Sequence, residues 1–321
     1  PEIALSEPHF SLEVDKDGRA NWVFKEQNQG KPAEFPKIDV LTIDRGSARY
    51  RDPRVNTDLA VEMSTRPGSG KEPESMVDVT GKGRYKGMAT TIKGSGGALL
   101  SLRDDKHPYP IQANVVMGTT RARVDGVLID PLHLKGEQLN FTLEGSDLAL
   151  LYPIVGVPIP PTPQYKLTGS LDHTGEVWKF RKFKGTVGRS DLAGDFSVDR
   201  GKKPQLIVAN LSSKNLEMAD LGGFIGAKRG ERPSDVPPPP DKVLPNEPFS
   251  LEKVRAANAD VRFKGEKIVT ENTPLEKMDA RLIVKDGKVT LAPLDFRIAG
   301  GNLVTRIEMD ARQQRIATHA D

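Results

Sequence analysis

The chain of 321 residues has no cysteine, which removes disulfides, thiolate nucleophiles and cysteine-ligated zinc together. It also lacks long apolar runs. The longest, Leu148 to Pro160, is 13 residues and contains Pro153, Pro158 and Pro160, short of the roughly 20 residues that a membrane-spanning helix needs. Neither sign of charge dominates: 47 Lys and Arg against 44 Asp and Glu leave +3, with the signs interspersed. The basic stripe of a nucleic-acid-binding surface is therefore missing, and no nucleic-acid partner is expected. Aromatics are sparse at 6%, while 30 glycines and 25 prolines favour many short elements and turns over long helices. No secretory signal is visible, and the pattern starts abruptly at Pro1, as in a piece of something longer.

Catalytic patterns are missing as well. The five histidines, His9, His107, His133, His173 and His319, are scattered without ligand spacing. Gly68-Ser69-Gly70-Lys71 resembles a phosphate loop but has Thr65 where the first glycine belongs and Glu72 in place of Ser or Thr. The run Gly94 to Gly97 lacks dinucleotide-loop spacing and reads as a turn, and Gly188-Arg189-Ser190-Asp191 lacks the second glycine of a nucleophile elbow. Asp104-Asp105 point to opposite sides of an extended chain. No cofactor, metal or catalytic residue is expected, and the chain does not read as an enzyme.

What the chain does have is alternation. Apolar residues recur at every second position in Ile111, Ala113, Val115, Met117 and in Leu139, Phe141, Leu143, with polar partners such as Gln112, Asn114 and Asn140 between them. The same period marks Ala122, Val124, Leu128; Tyr165, Leu167, Leu171; Phe196, Val198; Leu206, Val208; Ala280, Leu282, Val284; and Leu294, Phe296, Ile298. A period of two places one set on each face of a strand. Asp286-Gly287 is a hairpin signal, and Asp17-Gly18 and Gly300-Gly301 act similarly. The reading is a mainly β chain of about fifteen strands in an antiparallel sheet. Trp178 and Phe180 alternate along one strand and either face a ligand or fill a core.

Two short amphipathic helices are predicted, near 148–155 after Ser146-Asp147 and near 216–225 after Asn215. The two caps form a weak repeat of 68 residues (215 − 147). This divides the chain into a β segment over 1–226, a mobile proline- and charge-rich loop over 227–248 containing Pro237 to Pro240, and a further β segment over 249–321. A sheet with one apolar face must bury it against a second sheet, by barrel closure, or against a ligand in an open groove. The residue pattern leaves those three open.

Several phrases resemble the AsmA family of bacterial envelope proteins. They are Gly188-Arg189-Ser190-Asp191-Leu192-Ala193-Gly194-Asp195-Phe196, then Lys203-Pro204-Gln205-Leu206, then Leu216-Glu217-Met218-Ala219-Asp220-Leu221. Asp17-Gly18-Arg19-Ala20-Asn21-Trp22, the stretch Gly145 to Leu171, and Pro293-Leu294-Asp295-Phe296 through Gly300-Gly301 fit the same pattern. The resemblance implies the periplasmic part of a Gram-negative protein tethered to the inner membrane by an anchor absent from this chain. It also implies an elongated, curved β-sheet whose apolar groove guides phospholipids between the two membranes, with acyl chains as the partner. Ile111, Val115, Val124, Leu128, Leu139, Phe141, Leu143, Leu167, Leu171, Phe196, Val198, Leu206, Val208, Leu282, Val284, Leu294 and Phe296 are the expected groove lining. Phe141→Asp or Val208→Asp is then expected to impede lipid passage.

Overall fold

The structure, a computed structural model, describes residues 2–22, 38–70, 72–73, 75–103, 107–131, 137–155, 159, 161–220, 257–270, 275–298, 300–312 and 317–320. The chain forms two compact units, residues 1–141 and 142–321. The expected loop over 227–248 lies outside the described residues.

The first unit contains β1 (Glu2–Ser6), β2 (His9–Glu13), β3 (Val40–Asp44), β4 (Gly46–Asp52), β5 (Thr57–Pro67), β6 (Ser75–Tyr85), β7 (Met88–Gly96), β8 (Tyr109–Met117) and β9 (Thr120–Leu128). The boundary between the units falls within β10 (Glu137–Gly145). The second unit holds β11 (Tyr165–Thr174), β12 (Val177–Val187), β13 (Ser190–Asp199), β14 (Gln205–Glu217) and β15 (Ala257–Val269). It continues through β16 (Leu275–Lys285), β17 (Lys288–Ile298), β18 (Gly301–Asp310) and β19 (Ala317–Ala320).

Hairpins follow the period-two pattern in both units. β4 through β9 form one antiparallel run. β11 through β14 form a second, and β15 through β19 a third. Three pairings depart from the antiparallel expectation, because β1 lies parallel to β3, β2 to β4, and β14 to β15. A mixed sheet is thus what the strands build in each unit, and among the described residues neither ladder closes on itself into a barrel. At Asp286-Gly287 the turn is of the expected kind, with Lys285 opposite Lys288 and φ of 49° and 81° at the two central residues.

The helical expectations fare unequally. Residues Leu148–Leu151 form one 3₁₀ turn that passes into the α-turn α1 (Tyr152–Val155). The Asp147 carboxylate caps it, accepting from the N–H of Ala149 and of Thr162, both at 2.9 Å. The second predicted helix does not start where the sequence suggested. Leu216 and Glu217 end β14, residues 218–220 form a single 3₁₀ turn, and 221–225 lie outside the described residues. The reason is that the apparent cap, Asn215, and the nearby Asp220 are bound to the neighbouring strand. Asn215 gives its N–H to Asp191 at 2.6 Å, and the Asp220 carboxylate accepts from the N–H of Arg189 and Ser190 and from Ser190 Oγ.

The expected turn at Gly94 to Gly97 is a second correction: Gly94, Ser95 and Gly96 belong to β7. Glycine is needed there because a Cβ on Gly96 would lie 2.7 Å from Tyr109 Oη. One further feature concerns an edge. β19 pairs only with Ile307–Asp310 of β18, so among the described residues no strand pairs with the outer side of Gly301–Arg306.

Candidate functional site

Strand register sorts every side chain onto one of two faces, because residues directly opposite on neighbouring strands share a side. In the first unit one rung runs Ala48, Val61, Gly81, Ile92, Val115, Ala122. The next runs Gly46, Met63, Val79, Gly94, Ala113, Val124. A third joins Thr65, Val77, Gly96, Ile111 and Gly126. In the second unit one rung crosses all the strands from β11 to β18 as Leu171, Phe180, Phe196, Ala209, Val261, Leu282, Leu291, Ile307. Beside it run His173, Trp178, Val198, Ile207, Ala259, Val284, Val289 and Met309. Each unit therefore carries an apolar face, and the rungs are continuous through the parallel β14–β15 pair.

Most of the expected lining meets on these faces. Ile111, Val115, Val124 and Leu128 share the face of the first unit. Leu139 approaches the same strands, since a Cβ on Gly126 would sit 3.0 Å from Leu139 Cα, and Phe141 is two residues further along β10. Leu167, Leu171, Phe196, Val198, Leu282, Val284, Leu294 and Phe296 share the face of the second unit, where Leu143 packs near Tyr165 and Val187. Leu206 and Val208 do not join them. They stand opposite Asp199 and Ser197, and Ile207, Ala209 and Leu211 occupy the apolar side of β14 instead.

Among the described residues these faces are only partly covered. Of the seventeen expected lining residues only Val198 is buried, at 3% exposure, and Val208 is exposed at 38%. The rest are half-buried, whereas the inward residues of a β-sandwich are enclosed by the facing sheet. Phe180 and Phe196 stack at 4.2 Å with Phe183 edge-on at 5.8 Å, a compact aromatic patch within the face.

Full burial occurs within the face at Phe183, Ala209 and Ala280 and again at the strand ends. Leu151, Tyr165 and Val187 close one rim of the second unit with Leu143, Leu148, Leu167 and Leu192 packed against them. In the first unit Tyr109 lies over Gly96 and Gly97 and donates from Oη to the Gly97 carbonyl at 2.8 Å. Burial pushes the Tyr109 phenol up to about 12. Tyr165 repeats the arrangement over Gly145, where a Cβ would lie 2.7 Å from its Oη. This tyrosine closure was missed in the sequence, although a signal exists. Gly-Ser-x-x-Ala-Leu-Leu occurs at 94–100 and again at 145–151, each time followed by a strand opening on tyrosine.

Carboxylates fasten the irregular points of the ladder. Asp195 accepts from the N–H of Lys182 at the β12 bulge, and Asp191 accepts from Lys214 and Asn215 where β14 leaves β13. The opposite, polar face carries paired charges such as Arg281 with Asp260 at 2.8 Å, and the guanidinium holds the Asp260 carboxyl below its ordinary range. Among the described residues no group of three or more His, Asp or Glu could hold a metal ion.

No solved structure matches the chain. It is similar to the AsmA family protein YhjG of Escherichia coli (strain K12), with 30% identity over 363 aligned positions that take in all of this chain and 52% of that protein. The chain thus spans about half the length of this curated relative. The sequence profile of the AsmA family matches residues 73–321, which include β6 through β19. With that match covering more than half its length, and a relative aligned along the whole of it, the chain belongs to the AsmA family.

Proposed function

We propose that this chain is a periplasmic conduit segment whose apolar faces shield phospholipid acyl chains on their way between the inner and outer membranes. Membership of the AsmA family supports a role in the bacterial envelope, and the lipid reading goes further on one observation. That observation is the half-buried state of register-aligned rungs of apolar side chains. Large uncovered apolar surface marks a binding surface. Transfer of each CH₂ from water gains roughly 0.8 kcal/mol, so covering half a dozen methylenes holds a tail without any directional contact. Such contacts lack direction, and a tail can slide from rung to rung over low barriers.

The test uses the two faces of one hairpin. Phe196→Asp sets a carboxylate on the apolar face beside Phe180, and Val208→Asp sets the same group on the polar side opposite Ser197. Native mass spectrometry of the purified chain is expected to show bound phospholipid in the wild type and in Val208→Asp, and little in Phe196→Asp. A wild-type chain that carries no phospholipid after incubation with vesicles overturns the conduit and leaves an envelope scaffold.

A further inference from the structure

The rims of the apolar face in the second unit differ chemically. One is closed by Leu151, Tyr165 and Val187, and its carboxylates Asp147 and Asp220 are turned onto backbone amides. The other is formed by two-stranded turns, and there the β13–β14 turn carries Arg200, Lys202 and Lys203. Arg200 reaches over the Trp178 ring, 5.9 Å from its centroid, and Trp178 stacks on His173 at 3.9 Å. His173 and Trp178 belong to an apolar rung that runs on to Val198 and Ile207. Asp199, the nearest carboxylate in the same turn, accepts from the Gly201 N–H at 2.9 Å, and Glu176 stands across from it in the β11–β12 turn. The end of an apolar track thus abuts an aromatic plate capped by the Arg200 guanidinium, with Lys202 and Lys203 in the same turn.

Resting on the conduit reading, we propose that this turn holds the headgroup of an anionic phospholipid, its phosphate on Arg200, Lys202 and Lys203 and its tails on the rungs beyond Trp178. Charge complementarity selects the occupant: a cationic rim beside an apolar track fits an amphiphile with a net negative head better than a zwitterionic one. At the closed rim Leu151, Tyr165 and Val187 pack together, and its exposed cation Arg189 is already paired with Glu217 at 3.0 Å.

The experiment incubates the full chain with vesicles of phosphatidylcholine alone or mixed equally with phosphatidylglycerol, then counts retained lipids by native mass spectrometry. The wild type is expected to retain phosphatidylglycerol over phosphatidylcholine by roughly tenfold or more. Arg200→Ala/Lys202→Ala/Lys203→Ala is expected to lose that preference while still retaining phosphatidylcholine, with an unchanged strand signature in circular dichroism. A charge-matched control, Lys93→Ala/Lys184→Ala/Lys214→Ala on exposed positions of the polar face, is expected to keep it. A wild type that retains both lipids equally, a turn variant that keeps the preference, or a control that loses it equally overturns the headgroup site and leaves the conduit standing. A wild type that retains neither lipid overturns the conduit itself, and the headgroup site with it.

Discussion

Single residues set the limits of the apolar face more than its middle. Tyr109 fills the space that Gly96 and Gly97 leave and spends its hydroxyl on the Gly97 carbonyl. Tyr109→Phe is expected to cost about 1 kcal/mol, the net worth of one hydrogen bond, read as a lower urea midpoint at neutral pH. The same residue gives an alkaline signature. Its folded pKa, about 12, lies above the ordinary 10 of tyrosine, so the folded state holds the proton longer than the unfolded state does. That contribution is complete below pH 10 and disappears as pH rises through 12. The wild type is expected to lose stability in that window, and Tyr109→Phe to lose less. Gly194 shows a different constraint: its φ is +148°, and a Cβ there would lie 2.1 Å from the Asn210 carbonyl, so only glycine lets β13 and β14 approach this closely.

At the level of elements, strands were legible wherever one parity was predominantly apolar, as in Ile111, Ala113, Val115, Met117. The face of β14 was not, because Leu206-Ile207-Val208-Ala209 is apolar on both parities and only pairing with β13 decides which side is which. The helix read at 216–225 failed for a related reason. Its cap Asn215 looks local in sequence, yet Asn215 and Asp220 bind Asp191 and Ser190 on β13. Nothing in the period reveals that β14 and β15 run parallel either. That pairing sets a length requirement, since the chain must return from Glu217 to Ala257, which stands beside Gln205. Twelve strand steps span roughly 40 Å at about 3.3 Å each. The connection has 39 residues (256 − 217), so deleting residues 227–248 leaves 17 (39 − 22), enough to cover the distance. Strand content by circular dichroism is expected to stay unchanged on that deletion, and unfolding free energy to shift by under about 1 kcal/mol.

For the whole molecule, the bare edge at β18 matters most. Leu303 and Val304 are 53% and 71% exposed there, on a strand whose outer peptide groups at Gly301–Arg306 meet no neighbour among the described residues. Sheets that leave such an edge bare invite pairing between copies, and lysine is a common means of discouraging it. Val304→Lys is expected to lower the light scattering of concentrated samples without changing the urea midpoint. The purified chain should accordingly follow mass action, monodisperse when dilute and adhesive when crowded, as a zipper with one row of teeth unmatched.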